Sequence, residues 1–294
     1  MSIASDILNI TNSRNIIRDK MVAAGQATST DKLAVLADNL IMGGPSIDLS
    51  RTCIVNDSVN GDYAGSRYGY CACMFNGNAI FNQPVTIGDN VTICNYMFGE
   101  CSNFNQPITI PNKVTSCTYM FNRCINFNQP IIIPDSVQYC GNMFGGCYNF
   151  NQPVTFGANI YSCYAMFYNC QKFNQPINMP NTVDDCSSMF INCQNFNQPI
   201  ILSANLTNCA YLFSNCYDYN QNIYMPSNKV INAYRMLYNH NKMKRINVFS
   251  RSLGRLRNNS TSIVGVNVAW TSITNGYYNA TYNIYLYSNL PEDI

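Results

Sequence analysis

Fifteen cysteines and a single histidine, His240, carry the most obvious chemistry in this 294-residue chain. Thiolates with imidazole would suggest a metal centre, paired thiols a disulfide framework, and one activated thiol a nucleophile. Their spacing argues against all three. Cys94, Cys117, Cys140, Cys163, Cys186 and Cys209 fall 23 residues apart. Cys101, Cys124, Cys147, Cys170, Cys193 and Cys216 form a second column, seven positions after the first. Cys71 extends the first column backwards, leaving Cys53 and Cys73 off the lattice. A closed metal site needs about four ligands converging on a point, whereas columns run along an axis. Stacked coils would bring like thiols to about 5 Å, within disulfide reach. An unexported chain is reduced, however, and a ladder of equivalent thiols offers no unique partner. The reading left is a small buried hydrophobe filling a crowded interior. Asp184-Asp185 is one adjacent carboxylate pair in one coil, which suits a solvated turn, and no nucleophile motif accompanies it. No catalytic residue, metal ligand or cofactor is therefore expected, and the chain reads as a binding protein rather than an enzyme.

The elements that must position these residues obey the same period. FNQP begins at Phe81, Phe104, Phe127, Phe150, Phe173 and Phe196 and decays at Tyr219. Met-Phe starts at Met74, Met97, Met120, Met143, Met166 and Met189, then becomes Leu212-Phe213. Such strict repetition predicts a solenoid whose coils bury a shared core. Within one coil, Phe104, Gln106, Ile108 and Ile110 alternate with Asn105, Pro107 and Thr109, the periodicity of a short strand ended by Pro111. Val114, Cys117, Met120, Phe121 and Cys124 then recur at steps of three and four, which predicts a short helical return of one or two turns of helix or 3₁₀ structure. The expected fold is an α/β repeat: a leucine-rich-repeat-like solenoid pairing a short parallel strand with a short helical return.

The pattern aromatic-x-x-x-I-x-I-P-x-x-V-x-x-C-x-x-M-F-x-x-C closely resembles the BspA-like, or Treponema-type, leucine-rich repeat. The resemblance covers about Met74 to Met236. Phe stands for the usual leading Leu, Met-Phe for Ala-Phe, and Cys for an Ile before the return, each one apolar filler exchanged for another. That family is associated with attachment, so the resemblance implies a surface adhesin.

Binding faces usually vary while frameworks repeat. The invariant Asn82, Asn105, Asn128, Asn151, Asn174, Asn197 and Asn220 therefore suggest an internal amide ladder rather than a ligand site. The variable strand positions Thr86, Thr109, Ile132, Thr155, Asn178, Ile201 and Tyr224 are the candidate binding surface. A second variable row is Tyr96, Tyr119, Asn142, Ala165, Ser188 and Tyr211. Its tyrosines are rigid and amphipathic, which suits recognition and equally suits surface filling in a charge-poor protein.

Residues 1–44 stand outside the repeat and predict two amphipathic helices, the second from Thr30 to Met42 and stopped by Gly43-Gly44-Pro45. Their text resembles a segment near the N-terminus of bacteriophage head-fibre and tail proteins, through Ile17-Arg18, Met21, Gly25, Lys32-Leu33, Leu36-Ala37 and Leu40-Ile41. That resemblance implies a virion anchor built on Ile7, Ile10, Ile17, Arg18, Met21, Leu33, Leu36 and Leu40. A linker and irregular coil follow at 45–73, the solenoid spans 74–249, and 250–294 forms a β cap or oligomerisation element. In that cap Ser262–Trp270 and Tyr282–Tyr287 read as strands, Asn275-Gly276 as a hairpin turn, and Trp270 as core.

Charged residues make up 11% of the chain and the net charge is +2, so no global field draws it to nucleic acid or to a membrane. Lys229, Arg235, Lys242, Lys244, Arg245, Arg251, Arg255 and Arg257 cluster without an acidic residue among them. They suit a solubilising cap or an anionic partner. The first residues lack a signal peptide's apolar core and no segment is apolar enough to span a bilayer. The expectation is a bacteriophage virion component, a head fibre or tail appendage made in the host cytoplasm. It would be anchored to virion proteins by its N-terminal helices, trimeric by analogy with fibres, and would present its repeats to a host protein or glycan. The alternative is a bacterial cell-surface adhesin; a polysaccharide-degrading enzyme is the third reading.

Overall fold

The computed structural model describes residues 47–48, 74–241, 245–251, 256, 263–264, 270–288 and 290–291. The chain divides into two compact units, Met1–Ile47 and Asp48–Ile294. The expected N-terminal helices and their anchor residues lie outside the described residues, as do Cys53, Cys71 and Cys73.

From Met74 onward the chain winds as equivalent coils, and the reason is a shared interior that no single coil can close. Phe98, Phe104, Cys101, Met97 and their equivalents are fully buried in successive coils. Their rings form one continuous column. Phe98 and Phe104 stack within a coil at 4.2 Å, and Phe98 reaches Phe121 in the next at 5.5 Å. The column begins at Phe75 and Phe81 and ends where Phe213 stacks on the buried Tyr219 at 4.4 Å.

The strand flank is short because its side chains alternate for only a few residues before a proline or turn stops them. After β1 (Ile47–Asp48), at the boundary of the two units, the flank's strands are β2 (Val85–Thr86), β3 (Ile131–Ile132), β4 (Val154–Thr155), β5 (Ile200–Ile201) and β6 (Ile223–Met225). Parallel pairing sets Ile131 opposite Val154 and Ile200 opposite Ile223. The aliphatic member of each pair points inward and the following residue outward.

The return differs from the expected helix. Residues 95–100, 118–123, 141–146, 164–169 and their counterparts form overlapping turns, and no α-helix occurs between Met74 and Asn241. Alternate amides are claimed by the next coil: the N–H groups of Tyr96, Phe98 and Glu100 donate to the carbonyls of Thr118, Met120 and Asn122 at 3.0, 2.9 and 2.6 Å. The amides between them close three-residue turns inside the coil, as Met97 N–H does on Cys94 O at 3.2 Å. Two residues per coil adopt left-handed backbone, for example Tyr119 (φ 59°) with Arg123 (φ 58°) and Ser188 with Asn192 (both φ 61°). A left-handed residue ends an α-helix, and here two stand four positions apart in each coil. The three- and four-residue spacing is real, because Cys117, Met120, Phe121 and Cys124 are all buried, but consecutive turns produce it as well as a helix does.

The side-chain amides hold the coils in register. Asn105 N–H donates to Asn82 Oδ1 at 2.9 Å, and Gln106 Nε2 reaches the same oxygen at 3.1 Å. The arrangement repeats along the column, with Asn174 N–H on Asn151 Oδ1 and Asn197 N–H on Asn174 Oδ1, both at 2.9 Å. The Asn-Gln column is therefore an internal spine.

At the C-terminal end β7 (Ile246–Ser250) adds to β6, and β10 (Ile284–Tyr287) adds in parallel to β7. β9 (Gly276–Asn279) and β8 (Thr271–Ile273) then complete a six-stranded sheet in antiparallel fashion. Asn275 (φ 58°) turns the expected hairpin between β8 and β9. A Cβ on Gly276 would run into the Leu286 carbonyl, so only glycine fits that approach. Two expectations for this region change. Within the expected strand Ser262–Trp270, Ile263 and Val264 lie in a buried turn while residues 262 and 265–269 lie outside the described residues, and Trp270 is half-buried just before β8 rather than central to a core. His240 secures the junction instead, its Nδ1 2.9 Å from Leu237 O and its Nε2 2.7 Å from Tyr282 O.

Candidate binding surface

The two cysteine columns are interior and all twelve described thiols are free. One column does more than fill space. Cys124 Sγ donates to Phe98 O at 2.9 Å, and Cys147, Cys170, Cys193 and Cys216 repeat that bond to the preceding coil at 2.8–3.0 Å. Burial pushes the Cys101 thiol up to about 12, although an adjacent backbone N–H pulls the other way. A thiol so raised is protonated at neutral pH and a poor nucleophile. Among the described residues no group of three or more His, Cys, Asp or Glu is placed to hold a metal ion.

With the repeated polar groups spent on the frame, the variable positions supply the accessible chemistry. Along the strand flank Thr86, Thr109, Thr155 and Asn178 are exposed, Ile132 and Ile201 project with 72% and 49% of their surface accessible, and Tyr224 is half-buried. The row continues further than the repeat suggested. Tyr224 stacks on Phe249 at 5.1 Å and Phe249 on Tyr287 at 5.0 Å, as the β6–β7–β10 register dictates. Alternation in Ile246–Ser250 is the signal that could have found Phe249, since Ile246, Val248 and Ser250 are buried while Phe249 is not.

The turn flank holds the second row. Tyr96 and Tyr119 stack at 4.5 Å with 4° between their planes, and Tyr211 meets Tyr234 edge-on at 5.8 Å. Between Tyr119 and Tyr211 the row carries Asn142, Ala165 and Ser188, and over these smaller residues lies a hollow of about 530 Å³. Its lining also includes Gly145 and Gly146, Tyr148, Tyr164 and Tyr168, and the polar Asn122, Arg123 and Asn169. These three tyrosines sit off the variable rows and were missed in the sequence, where nothing separates them from other exposed tyrosines. A second depression of about 720 Å³ lies among Tyr139, Tyr161, Asp184 and Lys229. There the Tyr161 hydroxyl donates to Asp184 Oδ2 at 2.9 Å, and that bond raises the phenol's pKa.

The basic cluster does not form one patch among the described residues. Arg235 lies over Tyr238 and Tyr234 at 4.7 and 5.1 Å, and Arg245 over Tyr285 at 3.8 Å. Lys229 donates to Asn205 Oδ1 at 2.8 Å. Arg251 is exposed, while Lys242, Lys244, Arg255 and Arg257 lie outside the described residues.

These features define a class: a repeat protein of stacked 23-residue coils, held by a side-chain amide spine and varied on its exterior. Three overlapping stretches, 66–156, 110–201 and 156–250, match the family described as Mycoplasma protein of unknown function, DUF285. Together they cover more than half the chain, which belongs to that family. The family is associated with BspA-like surface repeat proteins, in line with the resemblance carried by the Ile-x-Ile-Pro and Met-Phe phrases. The match begins at residue 66 and so does not reach the fibre-like text at 17–41. No curated protein and no solved structure matches the chain significantly. No helix among the described residues is long and apolar enough to cross a membrane.

Proposed function

We propose that the protein is a non-catalytic attachment protein that displays its solenoid exterior to a macromolecular partner. One observation carries this reading. The repeated amides are bonded within the frame, whereas the positions that vary from coil to coil line a mainly exposed strand-flank row and a mostly half-buried turn-flank row with its hollow. A rigid scaffold with variable exterior residues is what recognition requires. The first setting is a phage virion appendage, with residues 1–44 binding other virion proteins; the fibre-like text of that segment supports it. The second is a cell-surface adhesin, favoured by membership of a family associated with surface repeat proteins. Mass spectrometry of purified particles and of peptides shaved from intact cells tests both. Peptides of this chain in particles support the appendage, and peptides in the shaved fraction support the adhesin. Recovery only from the soluble lysate overturns the attachment reading.

A further inference from the structure

The turn-flank hollow has a chemistry of its own, and we infer that it is a subsite for a neutral saccharide of two or three pyranose units. The inference rests on the attachment reading and names the ligand class of one face. Tyr119 has one ring face covered by Tyr96 at 4.5 Å. The stack runs along the solenoid axis, so its other face looks toward the next coils, where Asn142, Ala165 and Ser188 replace the tyrosine. Tyr148, Tyr164 and Tyr168 expose 40%, 42% and 37% of their surfaces beside it. Pyranose rings present a face of axial C–H groups that packs on an aromatic plane, and their hydroxyls need donors and acceptors in the same pocket.

The lining provides those groups in neutral form. Asn122 Nδ2 donates to Gly145 O at 2.9 Å and to Asn142 Oδ1 at 3.2 Å, which leaves Asn122 Oδ1 as acceptor and Asn142 Nδ2 as donor for a ligand. The charged lining group, Arg123, is paired with Glu100 at 3.0 Å. This arrangement does not suit other ligand classes. Nucleic acid would require several unpaired cations, an extended peptide an open sheet edge, and a protein hot spot a larger dry centre.

The fold supplies a clean test. Positions equivalent to Ala165 carry tyrosine at φ 55°, 59° and 59° in Tyr96, Tyr119 and Tyr211, against φ 50° at Ala165 itself. Ala165→Tyr should therefore fold and fill the hollow, and Tyr148→Ala removes one lining ring. The full-length protein and both variants are titrated with maltotriose, cellotriose and chitotriose by calorimetry, with a heparin trisaccharide as an anionic control and thermal melting as the folding control. The expected result is binding of at least one neutral trisaccharide at about 1 mM or tighter, with roughly tenfold or greater loss in Ala165→Tyr. No neutral binding, preference for the sulfated control, or binding that Ala165→Tyr and Tyr148→Ala both retain overturns the inference. If the intact protein still adheres to particles or cells, only the saccharide assignment falls; if it adheres to neither, the attachment reading falls as well.

Discussion

The strand flank and the turn flank solve the same problem, bonding one coil to the next, with different backbone. On the strand flank extended residues alternate inward and outward, so Ile131 is buried while Ile132 projects. Every second side chain is free to vary and the surface stays flat. On the turn flank, amides alternate between closing a turn in their own coil and donating to the next, as Met120 N–H does on Cys117 O and Phe121 N–H on Met143 O. That economy requires left-handed residues, which limits which side chains fit and leaves depressions where small ones fall. A repeat need not contain long strands or helices to form a ladder, and the flank with the less regular backbone here carries the shaped surface.

The largest test of the comparison is alkaline titration, because both thiol columns belong to the turn flank. Burial raises the pKa of Cys101 from 9.0 to about 12 and also raises those of Cys124, Cys140, Cys147 and Cys163. A raised folded-state pKa means the folded chain holds protons that the unfolded chain releases. The resulting stability is fully present below pH 9.0 and is lost as pH climbs through the folded values. Each of these raised thiols contributes a loss on the order of 1 kcal/mol per pH unit in that window. Urea midpoints should hold steady to about pH 8.5 and then fall steeply, with thiol-reagent reactivity appearing only as the chain unfolds. Midpoints unchanged to pH 11 would show that the columns are not dry.

Next in size is the ring column that joins the two flanks. Phe121 is fully buried and stacks with Phe127 at 4.1 Å and with Phe98 and Phe144 at 5.5 and 5.7 Å. Phe121→Ala should cost about 3–5 kcal/mol. Because coils couple only to neighbours, it should also split the unfolding transition in two. Ile132→Ala, at a residue 72% exposed, should change stability by less than about 0.5 kcal/mol. Equal losses from the two changes would mean that the outward strand row is not a surface.

How much of this was legible depended on which interactions leave a periodic trace. The interior did, since Cys, Met and Phe recur at the coil length and are buried in the coils from Met97 to Cys193. The Asn spine did too, because a hydrogen bond between equivalent positions demands the same residue at each. The turn flank did not. Residues at i, i+3, i+4 and i+7 face one side in a helix and also in a run of turns, so the hydrophobic pattern could not choose. The deciding trace was the column Gly77, Gly146, Asn169, Asn192 and Asn215, residue types that tolerate left-handed backbone, although Glu100 and Arg123 hold the same left-handed position in the coils of Met97 and Met120. The hollow was half legible: Asn142, Ala165 and Ser188 stood in the variable row, but a depression is made by what neighbouring rows lack.

The smallest effect is the most discriminating, because one kind of substitution should change sign between the flanks. Ser188 holds φ 61° on the turn flank, where an L side chain crowds its own carbonyl. Ser188→Gly removes that crowding, and the relief exceeds the entropy that glycine loses on ordering, so stability should rise by roughly 0.5–1 kcal/mol. Thr155 lies in β4, extended and exposed, where a β-branched residue is at ease. Thr155→Gly brings the entropy loss with no strain to relieve, and should lower stability by roughly 0.5–1 kcal/mol. Urea melts of the two single variants and the double variant resolve changes of this size, and the sites lie in separate coils, so the effects should nearly cancel in the double. A loss at both positions would mean that the turn flank is not left-handed at Ser188, and the distinction between the two flanks would go with it.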